Sequence, residues 1–294
     1  MLFFFSVVLF SNTGIAQSQP YFQQEVNYKI KVKLNDMSHE LEASEDIQYI
    51  NKSPNELKDI YFHIWPNAYK DSETALAEQL VDNGDSKLYY AKDHQRGYID
   101  NLDFRVNGEA VKWEYDPANI DICKITLNKP LKSLDTITIS TPFHVKIPEG
   151  IFSRLGHLGQ AYQICQWYPK PAVYDKNGWH PMPYLNQGEF YSEFGSFDVS
   201  ITVPSNYVVG ATGNLSEGDP EIEWLNKKAS STDTTKFSSD MSFPRSDTSW
   251  KTLHYTQSNV HDFAWFADKR FHVLKGAVTL PSWKSLHTRS RFTN

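Results

Sequence analysis

His39-Glu40, in the stretch "HELEA", is the one His-Glu pair in the sequence and the first place to look for metal chemistry. The zinc peptidase pattern H-E-x-x-H needs two imidazoles one helical turn apart, with the Glu beside them as base. Here position 43 is Ala, and the surrounding residues alternate as a strand, where i and i+4 would stand about 13 Å apart. The pair cannot grip an ion. No G-x-S-x-G elbow, P-loop or G-x-G-x-x-G occurs either. The ten His are scattered, with His63 reading as a satisfied core or sheet-face residue and His180, in "GWHPMP", as a loop residue. Glu189 and Glu193 are the acids nearest to a glycosidase pair, yet no spacing makes them face each other, and they read as solvated surface acids. Two thiols, Cys123 and Cys165, are too few for a stapled scaffold or a zinc finger. They read as small buried hydrophobes, with a disulfide left open. On its residues alone the chain carries no catalytic centre and no metal site.

The elements that would position any site are strands. Val26, Tyr28, Ile30, Val32 and Leu34 alternate, Asn35-Asp36-Met37-Ser38 interrupts, and Leu41, Ala43, Ile47 and Tyr49 resume the period of two. That predicts a hairpin. "DIYFHIWP", from Asp59 to Pro66, is apolar on both faces, as a central strand would be. Asn107-Gly108 sits between alternating runs as a tight hairpin turn. Further strands are expected over Ile137–Ile147, Phe197–Val203, Leu253–Tyr255, Phe263–Phe266 and Phe271–Leu274. One helix is expected over Asp71–Leu80, capped by Asp71 or Ser72 and ended by Asn83-Gly84. Ala229 to Ser249 is dominated by Ser, Thr and Asp and reads as a solvated loop. The sum is a mainly β protein, an antiparallel β-sandwich with one short helix.

One segment does not fit a plain sandwich loop. From Gln166 to Pro204, Trp167, Tyr168, Trp179 and Tyr184 crowd among five prolines. Such a segment either seals a core or walls a site.

Composition bounds the partners. The chain is 40% hydrophobic and carries a net charge of -6, with no dense block of Lys or Arg. Nucleic acid and anionic membrane surfaces are therefore excluded as main partners. Leu2 to Phe10 is an apolar run, followed by Gly14 and Ala16 as the small residues before a cleavage point at Gln17. Residues 1–16 read as an export signal, too short to span a bilayer, with a buried N-terminal strand as the alternative. The mature chain has no expected membrane span, and its expected location is periplasmic, cell-surface or extracellular.

"GQAYQICQWYPKPAVYDKNGWHPMPYL", then "FGSFDVSITVPSNYVVGATGNL" and "HDFAWFADKRFHVLKGAVTLP", occur in that order. Together they resemble the N-terminal domain of aminopeptidase N-like zinc metallopeptidases (the gluzincins), in the secreted bacterial branch. The resemblance implies a saddle-shaped β-sandwich over residues 21–280, with 281–294 as the start of a link to a peptidase domain. It implies that zinc, the H-E-x-x-H and the G-x-M-E-N motif belong to that further domain, and this sequence holds neither motif. The chain is then expected to be inactive alone, shaping a peptidase cleft and helping to bind the free N-terminus of a peptide substrate. The same resemblance points to Gln166, with Gln160 as runner-up, as the residue that accepts from the substrate ammonium. Better-known members follow that Gln with an Arg and F-P-C-x-D-E-P, where this chain has Tyr168-Pro169 and "KPAVYD". The competing reading is a free-standing binding module for carbohydrate or protein, with Trp167, Trp179 and Tyr184 stacking on sugar faces.

Overall fold

The protein is described by a computed structural model covering residues 21–188, 190–232 and 240–276, together with the backbone of 289–293. The expected export signal and Glu189 lie outside these residues, as does the linker apart from that last backbone stretch.

Strand β1 (Glu25–Asn35) buries every second residue, and β2 (Glu40–Ile50) runs back along it in register from Glu25↔Ile50 to Asn35↔Glu40. The expected hairpin is thus present. His39 lies in its turn, with φ 57°, not in a strand as its neighbours' alternation suggested. Beside β2 lies β9 (Thr136–Lys146), paired along its whole length. Against β9 run β4 (Tyr98–Asp100) and β5 (Arg105–Val106), and β5 turns into β6 (Glu109–Ala110). The turn is Asn107-Gly108 with φ 52° and 83°, the double left-handed geometry this pair favours. On the other side of β1 lies β15 (Gly195–Pro204), which is parallel to it, followed by antiparallel β18 (Trp250–Val260) and β17 (Asn214–Leu215). The parallel pair is an exception within the mainly antiparallel β-sandwich that the sequence predicts. A connection of some 160 residues between β1 and β15 leaves the chain free to return in either sense.

A second sheet sets β3 (Leu57–His63) between β8 (Ile122–Leu131) and β12 (Lys170–Pro171), with β7 (Lys112–Tyr115) at the edge. The run apolar on both faces is accordingly an inner strand. A third orders β10 (Gly156–Leu158), β11 (Ala161–Ile164), β19 (Trp265–Asp268) and β16 (Val208–Ala211). Two further ribbons pair β13 (Val173–Asp175) with β14 (Gly178–His180) and β20 (His272–Gly276) with β21 (Arg289–Thr293). One continuous core joins Val26, Ile47, Phe62, Phe143, Trp167, Val199 and Trp265.

Among the described residues two α-helices are present, where the sequence predicts one. The expected helix forms as α1 (Ala75–Asp82), later than Asp71–Leu80, because Thr74 is its cap. Thr74 Oγ1 accepts from Ala77 N at 3.3 Å and donates to the Ala68 carbonyl at 2.7 Å, an anchor that Asp71 and Ser72 lack. The second, α2 (Pro220–Ser231), takes in the first residues of the segment read as a solvated loop. Asp219 caps it through Glu221 N at 2.8 Å, and Pro220 stands at the first turn, both ordinary start signals. Its apolar stripe is thin: Leu225 and Trp224 pack on Val208, Val273 and Phe271. So thin a stripe leaves little helical periodicity in the sequence.

Candidate functional site at Gln166 and Asp262

The pairing of β11 with β19 brings residues 165–168 alongside 262–263. Gln166 is in the left-handed region, φ 49°, a conformation costing about 1–2 kcal/mol for a residue with a Cβ. Past this bend Trp167 enters the core and donates Nε1–H to the Phe263 carbonyl at 3.1 Å.

Asp262 gathers the surrounding donors. Its Oδ1 accepts from Tyr168 OH at 2.8 Å, from Phe263 N at 2.8 Å and from the Lys170 ammonium at 3.1 Å. Its Oδ2 accepts from Gln166 Nε2 at 2.9 Å. Burial works to raise the Asp262 pKa, but the Lys170 charge and the bonds from Tyr168, Lys170 and Gln166 outweigh it, so the carboxyl lies below its ordinary value. Lys170 is itself buried, reaching Ser192 Oγ at 3.4 Å and lying over the Trp65 and Tyr168 rings at 5.3 and 5.5 Å.

The consequence for Gln166 is directional. A carboxylate only accepts, so the amide must present its NH2 to Asp262 and point its carbonyl elsewhere. Oε1 is buried and has no hydrogen-bond partner among the described residues. Gln160 is used at both ends: Nε2 donates to Asp36 O and Oδ2 at 3.2 Å, while Oε1 accepts from Lys269. The two glutamines serve different carboxylates, and only Gln166 keeps an unused acceptor.

The aromatic-proline segment seals the core. Trp167, Tyr168 and Tyr184 are buried, Tyr184 N donates to Asp121 Oδ2 at 2.6 Å, and Trp179 packs against Tyr61 and Tyr174. Trp167 and Tyr184 therefore offer no face to a sugar, which removes the support for the binding module built on them. Glu193 is also buried, contrary to its reading as a surface acid. Sequence could not show that its carboxylate would be enclosed by Tyr174 N at 3.4 Å, Gln23 and Gln24. Burial pushes its pKa up to about 7.

His63 is a core residue as expected, stacked on Trp65 and accepting from Met182 N through Nε2 at 3.1 Å; burial, then the Lys170 charge, lowers its pKa to about 3. His180 pairs with Asp175 at 2.7 Å. Cys123 and Cys165 are free thiols, each pushed up by burial, Cys165 to about 11. Among the described residues no three His, Cys, Asp or Glu side chains are grouped to hold a metal ion, so the residues present do not fit zinc. No helix among them is long and apolar enough to cross a membrane.

Sequence reading missed Asp262, Lys170 and Glu45. The first two had one faint signal, a charge embedded in aromatic or proline surroundings, "VHDFAW" and "YPKPA". Glu45 had one too, because it breaks the apolar side of β2.

Comparison with solved structures finds similarity over most of the chain. A variant of an M1 zinc metallopeptidase from Deinococcus radiodurans is 14% identical, with a TM-score of 0.49, over 92% of this chain and 47% of that one. The same protein bound to a Tyr-Ser-Ala substrate is 15% identical, with a TM-score of 0.47 and the same coverage. This chain is similar to M1 zinc metallopeptidases. It spans about half the length of the solved structures it matches. No family model matches the chain, and no curated protein matches it.

Proposed function

We propose that this chain is the non-catalytic N-terminal domain of an exported zinc aminopeptidase-like protein, placed in the periplasm, at the cell surface or outside the cell. In this reading zinc and the catalytic residues belong to a peptidase domain beyond this chain. The β domain shapes one wall of the cleft and helps to bind the peptide N-terminus. The observation that carries it is the Gln166 carbonyl. A buried acceptor without a donor costs about 1–3 kcal/mol, a cost relieved when an ammonium donates to it. A neutral amide does this without adding a second buried charge. The order of the three sequence blocks supports the same reading.

The test is Gln166→Ala in the complete protein, with peptides bearing free or blocked N-termini. Losing the acceptor lowers kcat/KM on free N-termini by roughly 5- to 150-fold, mainly through KM, and leaves blocked peptides nearly unchanged. Unchanged kinetics with a sharply lower Tm make Gln166 a structural residue and sink its role, and Gln160 is then the next to replace.

A further inference from the structure

A second site lies where β1, β15 and β18 meet. There a cleft of about 560 Å3 opens between Gln24, Asn27, Lys52, Phe194, Ser196 and Asn259. Small-molecule sites usually occupy about 300–1,000 Å3. The cleft is organised around a β-bulge. Val260 pairs with Gly195 and Ser258 with Ser196, so Asn259 is left without a partner across the ladder. Its φ is 58°, a left-handed conformation that Asn tolerates better than most residues. A bulge of this kind breaks the alternation of the strand and re-aims one side chain. Opposite it the chain passes so close that a Cβ on Gly195 would lie 1.6 Å from the Val26 carbonyl oxygen. Only glycine fits there.

The lining specifies the chemistry of the occupant. Its charges, Lys52 and Glu25, pair with each other at 2.5 Å, so an ion gains nothing that is not already neutralised. What remains is carboxamide and hydroxyl, groups that both donate and accept. Asn27 is held by Ser196 N at 2.9 Å and Ser196 Oγ at 2.8 Å, and buried Gln24 by Asn51 and Lys52 N, so this part of the lining is preorganised. β15 is paired on both sides, in the β1–β15 and β15–β18 ladders, so it offers no edge for an added peptide strand. Phe194 supplies a half-exposed ring at the rim, braced edge-on by His261 at 5.4 Å. The Asn259 amide on the bulge, beside one aromatic face, matches a ring that is polar at its edge and apolar on its face.

We propose that this cleft binds a neutral polyhydroxylated ligand, a sugar ring of an uncharged glycan. The proposal uses none of the residues of the Gln166 site and does not depend on the peptidase reading. It is tested by titrating the 294-residue chain with maltotriose, cellotriose and chitotriose, and with a triuronate and a tripeptide as counter-probes, by calorimetry or NMR. Saturable binding of a neutral trisaccharide is expected. Asn259→Gly keeps the left-handed backbone but removes the amide, and Phe194→Ala removes the ring. Each weakens binding by about tenfold at unchanged Tm. No saturable binding of a neutral sugar, binding of the triuronate alone, displacement by the tripeptide, or full affinity in both variants overturns it.

Discussion

Lys170 and Asp262 form a buried ion pair at 3.1 Å, fastening the second sheet to the residues just before β19. The Lys170 side chain is 2% exposed and the Asp262 side chain 19%, so the pair is weakly screened. Removing one partner strands the other. Lys170→Met is expected to cost about 3–5 kcal/mol in urea unfolding, and the double variant with Asp262→Asn to recover part of that loss. A loss under about 1 kcal/mol for Lys170→Met, the range of an exposed pair, would show the interaction to be ornamental.

The same pair sets an acid limb. The folded pKa of Asp262 lies below its ordinary value of 3.8, so the carboxylate contributes stability at neutral pH that is lost as pH falls through the folded pKa. Asp262→Asn is expected to flatten the acid side of the stability curve measured below about pH 4.

Glu193 acts in the opposite sense. Its pKa is raised from 4.5 to about 7, by burial first and with the Asp175 charge adding to it, against hydrogen bonds from Tyr174, Gln23 and Gln24. Between these two values the folded protein holds a proton the unfolded chain has released, so stability falls as pH rises. The swing is about 3 kcal/mol at 1.36 kcal/mol for each pH unit. Glu193→Gln should remove this slope from denaturation curves taken between pH 4.5 and 7. An unchanged slope would place the titration elsewhere.

Glu45 faces the core from β2, opposite Ile30 and Thr141, and neither carboxyl oxygen has a partner among the described residues. Burial, with the Asp46 charge adding to it, raises its pKa well above the usual range. Glu45→Leu is of similar size and removes two unsatisfied atoms, so Tm should rise, by about 1–3 kcal/mol in stability, with the gain growing at alkaline pH. A lower Tm would mean that the carboxyl is satisfied in a way these contacts do not provide.

Gly108 carries φ 83° in the turn between β5 and β6, in open space. Gly108→Ala therefore tests conformation without a clash. It should cost about 1 kcal/mol in chemical denaturation. A neutral result would show that the turn shifts to another geometry.

The sequence by itself determined several of the strands and the tight turn at Asn107-Gly108. Alternation in Val26–Leu34 and Leu41–Tyr49, the doubly apolar run in β3 and Asn107-Gly108 are local signals, and local sterics and solvation are enough to act on them. It also drew attention to Gln166, though through resemblance, not spacing. What only the tertiary structure decided is which side chains meet. Asp262 lies 96 positions after Gln166 and 92 after Lys170, and nothing local to any of them encodes the contact. The direction of the Gln166 amide follows from that one carboxylate. The parallel return of β15, the enclosure of Glu193 and the bulge at Asn259 are likewise products of long-range pairing. Short-range energies fix the pieces; burial of charge, which depends on everything around it, fixes the sites.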